Sequence, residues 1–195
     1  MTQTADTGRA GLAARGGSTS IGAWRAPSAR ERWEIIGRTK TVAMVGASPN
    51  RSRPSYFVAT YLLSSSCSFQ DVWFVHPTAD EILGRPVYKS LADLPAVPDL
   101  VEVFRKPSEL PEVAEEAIAV GAKTLWFQLG LWDEAVAHRA HAAGLEVVMN
   151  RCPKIEYGRL SGEIGWAGVN AGAISSKRPL LSGRGVQSHV IAGKR

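Results

Sequence analysis

The chain has 195 residues, of which 45% are hydrophobic, and a formal net charge of +5. That length suits one well-packed domain with extensions and is too short for two sizeable domains. Its lysines and arginines are scattered, without a stripe of interleaved aromatic residues, and no apolar run approaches the roughly 20 residues of a membrane-spanning helix, so we expect neither nucleic acid nor membrane as a partner.

The spacing of the cysteines indicates the kind of compartment, and the composition of the two ends indicates where the domain begins and ends. Cys67 and Cys152 show no metal-ligand spacing, which predicts neither a zinc site nor a disulfide framework and fits a reducing compartment such as the cytoplasm. Residues 1–27 are rich in small residues and Arg, and residues 177–195 are rich in Gly and Arg without periodicity. We predict flexible tails at both ends, with a transit segment as an open alternative for the first, around a domain at 28–176.

Helical and strand patterns alternate along this domain. Ser28 and Glu31 have the capping-box spacing, with apolar Trp33 and Ile36 on one helical face beyond them, which predicts a short leading helix. Short apolar runs then predict five strands separated by segments of helical periodicity. The predicted strands are Thr41–Val45, Asp71–Val75, Leu100–Phe104, Thr124–Gln128 and Val147–Met149, and the predicted helices between them cover 55–63, 107–120 and 133–143.

The ends of these segments are also marked. Gly121 and Gly144 are natural C-caps for the last two helices. Residues 84–87 are assigned to a linker that precedes a helical turn begun by Ser90. The alternation predicts an α/β fold, a Rossmann-like doubly wound parallel sheet of about five main strands with helices on both faces. In such sheets ligands bind outside the carboxyl ends of the strands. We therefore expect the loops at 46–54, 76–78, 104–107, 128–131 and 150–152 to converge on one crevice.

The loop after the first strand has the chemistry of a phosphate site. Its Gly46-Ala47-Ser48-Pro49 turn leads through Arg53, Pro54 and Ser55 into a helix. Glycine permits close approach of a ligand, and the helix start and the arginines favour an anion, although an ordinary turn shaped by its prolines is the alternative. The Gly-x-Gly-x-x-Gly spacing is absent, and His76-Pro77-Thr78 stands where an NAD site has an acid. NAD is therefore the second choice.

Motifs in every predicted ligand-facing loop resemble the stand-alone CoA-binding domain family. The family is similar in turn to the N-terminal CoA-binding domain of the succinyl-CoA synthetase alpha subunit, whose Leu-Gly-x-Pro-Val and Asn-Cys-Pro segments are echoed at 83–87 and 150–153. The resemblance spans Lys40 to about Ser176. It rests on Gly46–Asn50, Arg53–Tyr56, Val75–Pro77, Glu81–Tyr88, Val103–Arg105, Gln128–Trp132 and Asn150–Cys152.

The resemblance implies coenzyme A, or an acyl-CoA, lying across the crevice. Its diphosphate would lie at Gly46 to Ser48 and its adenosine near His76 to Thr78. Its pantetheine arm would run past Phe104, Arg105, Gln128 and Gly130 toward Asn150 and Cys152. The chain departs from the family at His76, where Asn is usual, and at Thr78, where Lys is common. Loss of that Lys removes a phosphate contact, for which Arg53 or Arg51 would compensate.

No catalytic triad, carboxylate pair or metal cluster is evident. His138 and His141 lie three apart on one predicted helix without a third ligand, and His189 falls in the predicted tail. Cys152 is either a small buried hydrophobe or a low-pKa thiolate beside the CoA thiol. Glu156 serves either the helix dipole or acid-base chemistry.

These residues favour a binding module over an enzyme. The alternatives are an NAD(P)-binding oxidoreductase, a redox-sensing domain, or a structural domain that binds a partner protein. Trp132 and the segment at 162–172 are candidates for a contact in a homo-oligomer, although loops that cover the domain explain them as well.

Overall fold

The computed structural model describes residues 22–64 and 67–160. The strands are β1 (Thr41–Val45), β2 (Asp71–Val75), β3 (Glu81–Ile82), β4 (Arg85–Tyr88), β5 (Leu100–Val103), β6 (Thr124–Phe127) and β7 (Glu146–Val148). The helices are α1 (Ala29–Arg38), α2 (Pro54–Leu62), α3 (Leu110–Ala119), α4 (Glu134–Ala142) and α5 (Pro153–Leu160). Single turns of 3-10 helix at Leu91–Asp93 and Pro107–Glu109 complete the described elements.

The strands form one seven-stranded sheet in the order β3-β4-β2-β1-β5-β6-β7. All neighbouring pairs are parallel except β3 and β4. From the central β1 the chain first moves to β2 and β4, and then crosses to β5 on the other side of β1. Val45, the last residue of β1, is therefore in register with Val75 on one side and with Val103 on the other. The predicted doubly wound α/β fold is confirmed.

The sheet is buried on both faces, which explains the near-continuous apolar strands. Successive side chains of a strand point to opposite faces, so β6 places Phe127 in one core cluster and Trp126 in the other. Both side chains are fully buried.

The linker expected at residues 84–87 is wrong, because these residues form most of β4. Leu83 and Gly84 both have positive φ, 53° and 74°, and make the tight turn that returns β3 onto β4 as an antiparallel hairpin. β4 then pairs in parallel with β2 through Phe74 and Val87. The hairpin widens the sheet beyond the five strands of the alternation.

The leading helix begins as expected and buries Ile36, but the other apolar residue of the predicted face stays exposed. Glu31 N–H donates to Ser28 Oγ at 3.3 Å and Ser28 N–H donates to Glu31 Oε2 at 2.7 Å, so the capping box is confirmed. Trp33, however, is 41% exposed. The residues of α1 that are buried are Arg32, Ile35 and Ile36.

Arg32 is buried because it has a charged partner on α5. Its Nε lies 3.0 Å from Glu156 Oε2, and the two side chains are only 10% and 5% exposed. A second guanidinium nitrogen donates to Pro27 O at 2.7 Å. This pair ties α1 to α5 and gives Glu156 a structural role, and Glu156 also lies in the first turn of α5, where a carboxylate favours the helix dipole.

The N-terminal segment covers the edge of the sheet at β7. Trp24 lies within the tail predicted at 1–27, and its indole Nε1–H donates to Val147 O at 3.0 Å. Its ring meets those of Trp132 and His138 edge-on. The rest of that tail, the tail at 177–195, His189 and the segment at 162–172 lie outside the described residues.

None of the helices within 22–64 and 67–160 combines the length and the apolar character needed to cross a membrane.

The buried pair gives a test of what holds α1 in place. Arg32→Met should lower the free energy of unfolding by about 3 kcal/mol, because it leaves the Glu156 carboxylate buried without its main partner. The matched control is Arg30→Met, which removes a pair with Glu34 of the same 3.0 Å length but with 88% and 51% exposure. That change should cost under about 0.5 kcal/mol. Urea unfolding of both variants measures the difference, and equal losses would contradict the structural role given to Arg32.

Candidate functional site

The crevice opens where the chain leaves β1 and β5 at the point of reversal in strand order. Gly46 N–H donates to Val75 O at 2.9 Å, and Phe104 N–H donates to Val45 O at 2.8 Å, so the strand hydrogen bonding continues into both loops. Gly46 has a φ of +83°, and a Cβ there would lie 2.6 Å from Phe104 O. The two loops can approach this closely only because residue 46 has no side chain.

The turn after β1 is held by its own side chains. Ser48 N–H donates to Ser55 Oγ at 3.1 Å, and Ser48 Oγ accepts from Asn50 N–H at 3.2 Å. Ser55 is buried at the start of α2, and Pro54 has no N–H to offer. The turn is therefore preformed, and the N–H groups of Ser48 and Asn50 already have acceptors inside the protein.

A polar pocket of about 510 Å³ lies against this turn. Arg53 and Lys106 reach it as exposed cations, whereas Arg105 is paired with Glu109 at 2.8 Å. The pocket thus carries more positive than negative charge. Its lining residues are Gly46, Ser48, Arg53, Pro54, Ser55, His76, Phe104, Arg105, Lys106 and Glu109.

His76 closes the side of the polar pocket next to β2. Its Nδ1 accepts from the N–H groups of Thr78 at 3.2 Å and Ala79 at 3.0 Å, as the side-chain oxygen of an Asn would in the same turn. Burial, and then the positive charges of Arg105 and Lys89, lower the pKa of His76 below its ordinary value of 6.5. The ring is therefore neutral at pH 7.

An apolar pocket of about 470 Å³ continues the crevice beyond Pro54, Phe104 and Arg105, which line both pockets. Phe57 stands at its rim, 64% exposed, with Lys154 Nζ 3.5 Å above the ring centre. Its lining residues are Pro54, Phe57, Val58, Phe104, Arg105, Gln128, Leu129, Leu131, Cys152, Lys154 and Ile155.

Cys152 lies at the wall of the apolar pocket and is buried. Burial raises the pKa of its thiol, and the nearby Glu102 adds to the rise, although a hydrogen bond from Gln128 opposes it. The low-pKa thiolate considered from the sequence is therefore wrong. A desolvated thiol beside a carboxyl group stays protonated, despite the helix that starts at the next residue.

Glu102 is a completely buried carboxyl group on the central strand β5. Gln128 Nε2 donates to its Oε1, whereas no hydrogen-bond partner reaches Oε2 within the described chain. Burial raises the pKa of Glu102 to about 8, against the smaller opposing effect of the Gln128 hydrogen bond. Glu102 is thus a neutral acid at pH 7, and it orients the Gln128 amide at the pocket wall.

Most of the residues predicted for the site line one or both pockets. Gly46, Ser48, Arg53, Pro54, Ser55, His76, Phe104, Arg105, Gln128 and Cys152 do so. Ala47, Pro49, Pro77, Thr78, Gly130 and Asn150 line neither of these two pockets. Asn150 instead supports the loop after β6, because its Oδ1 accepts from Gly130 N–H at 2.9 Å.

Comparison with known proteins agrees with this geometry. Residues 40–158 match the family described as the CoA binding domain. The chain belongs to this family. A relative, the uncharacterized protein YneT of Bacillus subtilis (strain 168), is 34% identical over 131 residues, which are 67% of this chain and 95% of the relative.

Solved structures resemble the CoA-binding domain over the same part of the chain. A hypothetical protein from Pyrococcus horikoshii OT3 is 37% identical, with a TM-score of 0.65, and the match covers 70% of this chain and 96% of that one. A Thermus thermophilus protein is 31% identical, with a TM-score of 0.63, over 69% of this chain and 99% of that one.

Several residues of this CoA-binding domain were not identified from the sequence. Lys106 lies within the loop predicted at 104–107 but was not singled out, and Glu109 lies just after it. Phe57, Val58, Lys154 and Ile155 lie on helices that border the crevice. A visible signal did exist for Glu102, an acid inside the apolar run Leu100–Val103. A charged residue in a strand buried on both faces needs a special environment.

The two helical histidines do not form a metal site with each other. His138 is exposed and its Nδ1 accepts from Trp24 N–H at 3.2 Å, whereas His141 is half-buried. Across residues 22–64 and 67–160 no three His, Cys, Asp or Glu side chains are grouped to hold a metal ion.

The buried acid makes stability depend on pH. The folded protein holds a proton on Glu102 up to a pKa of about 8, whereas the unfolded chain releases it near the ordinary value of 4.5. The free energy of unfolding should therefore fall as pH rises from about 4.5 to about 8, by a few kcal/mol in all, with no further loss from this group at higher pH.

Glu102→Gln tests this, because it keeps the shape and is neutral at every pH. The variant should lose most of the fall in unfolding free energy between pH 5 and 8 that the unaltered protein shows. Exposed Glu112→Gln on α3 serves as the control and should retain it. Urea unfolding across that pH range decides, and parallel profiles for all three proteins would show that Glu102 is not the group responsible.

Gly46 gives a test of the close approach between the loops. Gly46→Ala should destabilise the fold by about 2 to 4 kcal/mol, since it adds a contact with the Phe104 carbonyl to the strain of a positive φ. Gly121→Ala is the matched control, because its φ is +75° but the added Cβ would meet nothing within 4 Å. It should cost about 1 to 2 kcal/mol. Thermal unfolding compares the two, and a similar cost would remove the steric reason for glycine at 46.

Proposed function

We propose that this chain binds coenzyme A along the crevice, with the diphosphate and adenosine in the polar pocket and the pantetheine arm in the apolar pocket. The observation that carries the proposal is the junction of the two pockets at Pro54, Phe104 and Arg105. CoA has the same division, because one half is polyanionic and the other is a long uncharged chain.

The polar half supports the anionic end. Arg53 and Lys106 are exposed and form none of the ion pairs found within the described residues, so their charges are available to phosphate oxygens. The start of α2 adds the partial positive charge of a helix N-terminus. Gly46 lets a ligand approach the backbone of the turn closely.

The apolar half supports the pantetheine arm. Phe57, Leu129 and Ile155 offer apolar contact, and Gln128 offers one amide held in place by Glu102. A chain of methylene groups interrupted by amides needs this combination of apolar walls and few polar groups. The thiol end would lie toward Cys152.

Two features count against the alternatives. The loop after β2 presents the neutral ring of His76 instead of the carboxylate that binds a nicotinamide-nucleotide ribose. Cys152, with its raised pKa, lacks the thiolate character of a redox-sensing cysteine. We therefore infer a CoA-binding module without chemistry of its own, and leave the acyl form open.

We also propose a cellular compartment for the module and a surface for contact with a second copy. Cys67 and Cys152 are not joined in a disulfide, which fits a reducing compartment such as the cytoplasm. Trp132 is 49% exposed beside Trp24 and is a candidate contact for a second copy of the chain.

Ligand identity is tested on natively purified protein. Mass spectrometry of the released ligand, and calorimetric titration with CoA, acetyl-CoA, NAD and NADP, should show binding of CoA in preference to both dinucleotides. Tight binding of NAD without binding of CoA would overturn the proposal.

Two arginines of the turn after β1 test where the phosphates of the ligand bind. Arg53→Gln should weaken CoA binding about tenfold, since it removes a charged contact to phosphate. Arg51→Gln is the control, because Arg51 is also exposed on the same turn but lines neither pocket. Its effect should stay within about twofold, as for a surface charge outside the site. Calorimetry at constant ionic strength measures both, and equal losses would mean that only overall charge matters.

A further inference from the structure

Lys154 places a positive charge at the rim of the apolar pocket. It is the second residue of α5 and follows Cys152 closely in the chain, and both residues line the apolar pocket but not the polar one. The lysine side chain is half-buried. Its Nζ lies 3.5 Å from the ring centre of Phe57 and 5.4 Å from that of Tyr61. Two aromatic rings thus hold the ammonium group beside the pocket.

No carboxylate of the described residues balances this charge. Lys154 takes part in none of the ion pairs found within 22–64 and 67–160. No acidic residue of the described chain lines the apolar pocket, and its other cation, Arg105, is already paired with Glu109 at 2.8 Å. The faces of aromatic rings attract an ammonium group but leave its net charge unchanged. An anion that reached this rim would therefore meet a cation without a competing partner.

The position of Lys154 indicates which part of a ligand would carry such an anion. The phosphates of CoA are assigned above to the polar pocket, which Lys154 does not line, and the pantetheine arm is uncharged. The thiol end is directed toward Cys152, so a group attached to the ligand sulfur would extend past Lys154. Such a group is an acyl chain, and a second carboxylate makes an acyl chain anionic. An ammonium group forms strong charge-assisted hydrogen bonds with a carboxylate, particularly beside apolar walls.

We propose that Lys154 binds the free carboxylate of a dicarboxylic acyl group carried by CoA, so that the site prefers a carboxyacyl-CoA over a CoA with an uncharged acyl chain. This rests on the proposed binding of CoA. It assigns to Lys154 the role of a specificity-determining residue for the acyl end of the ligand.

The test uses two CoA thioethers that do not hydrolyse, S-(2-carboxyethyl)-CoA and S-propyl-CoA, which differ in a carboxylate against a methyl group. Lys154→Met removes the ammonium group and keeps an unbranched apolar side chain. Lys40→Met is the matched control, because Lys40 is exposed just before β1, at the opposite edge of the sheet, and its loss changes the net charge equally. Thermal unfolding of the full chain checks that both variants fold, and Lys154→Gln replaces Lys154→Met if that variant does not.

Calorimetric titration should show that the unaltered protein binds S-(2-carboxyethyl)-CoA about tenfold more tightly than S-propyl-CoA, as for one hydrogen bond between charged groups. Lys154→Met should lose about tenfold in affinity for the carboxylated ligand and less than about twofold for S-propyl-CoA. Lys40→Met should change neither affinity by more than about twofold.

Three results would overturn the proposal. The unaltered protein would bind the two thioethers equally, Lys154→Met would keep the preference for the carboxylated one, or Lys154→Met would lose equally for both. The last result would place the contact of Lys154 on the part that the two ligands share. Failure of the unaltered protein to bind CoA itself would instead refute the proposed function.

Discussion

The approach of two loops at Gly46 is the constraint on which the site depends. β1 is central, and its parallel neighbours β2 and β5 lie on opposite sides of it, so the backbone of the turn after β1 meets the Phe104 carbonyl at the point of reversal. A side chain at 46 would separate the loops and the strand hydrogen bonds that continue into them. The loops after β5 and β2 bring Arg105 and His76 to one pocket beside this contact. Strand order and local sterics together thus assemble groups that are far apart in sequence.

Polarity then changes along the crevice, and buried groups control that change. At one end Arg53 and Lys106 stay exposed to water and keep their charge available. At the other end Glu102 is held as a neutral acid under Gln128. An ionised carboxylate there would place a negative charge beneath the apolar pocket, whereas the protonated form lets the wall stay uncharged and still fixes the amide that faces the ligand.

Much of the fold could be predicted because its signals are local. Apolar strands, the Ser28 capping box and the glycine at 121 each follow from a few neighbouring residues, and parallel topology then places the loops at one edge. The β3–β4 hairpin was not predicted because it turns through Leu83, and leucine rarely adopts positive φ. Arg32 and Glu156 lie 124 positions apart. The burial of Arg32 in α1, where Trp33 stays exposed, follows from the packing of α1 on α5 and could not be predicted from neighbouring residues. Helix residues of the site, such as Phe57 and Lys154, were not predicted for a related reason. Tertiary contacts decide which face a helix turns toward a crevice.

The indole of Trp24 covers part of the edge of the sheet at β7. β7 is the last strand of the sheet, and an uncovered last strand offers its carbonyl and N–H groups to any other extended chain. By donating to Val147 O at 3.0 Å, the indole Nε1–H of Trp24 occupies one of those acceptors. With that carbonyl already bonded, this position of the β7 edge is not open to backbone pairing with another strand unless Trp24 moves away.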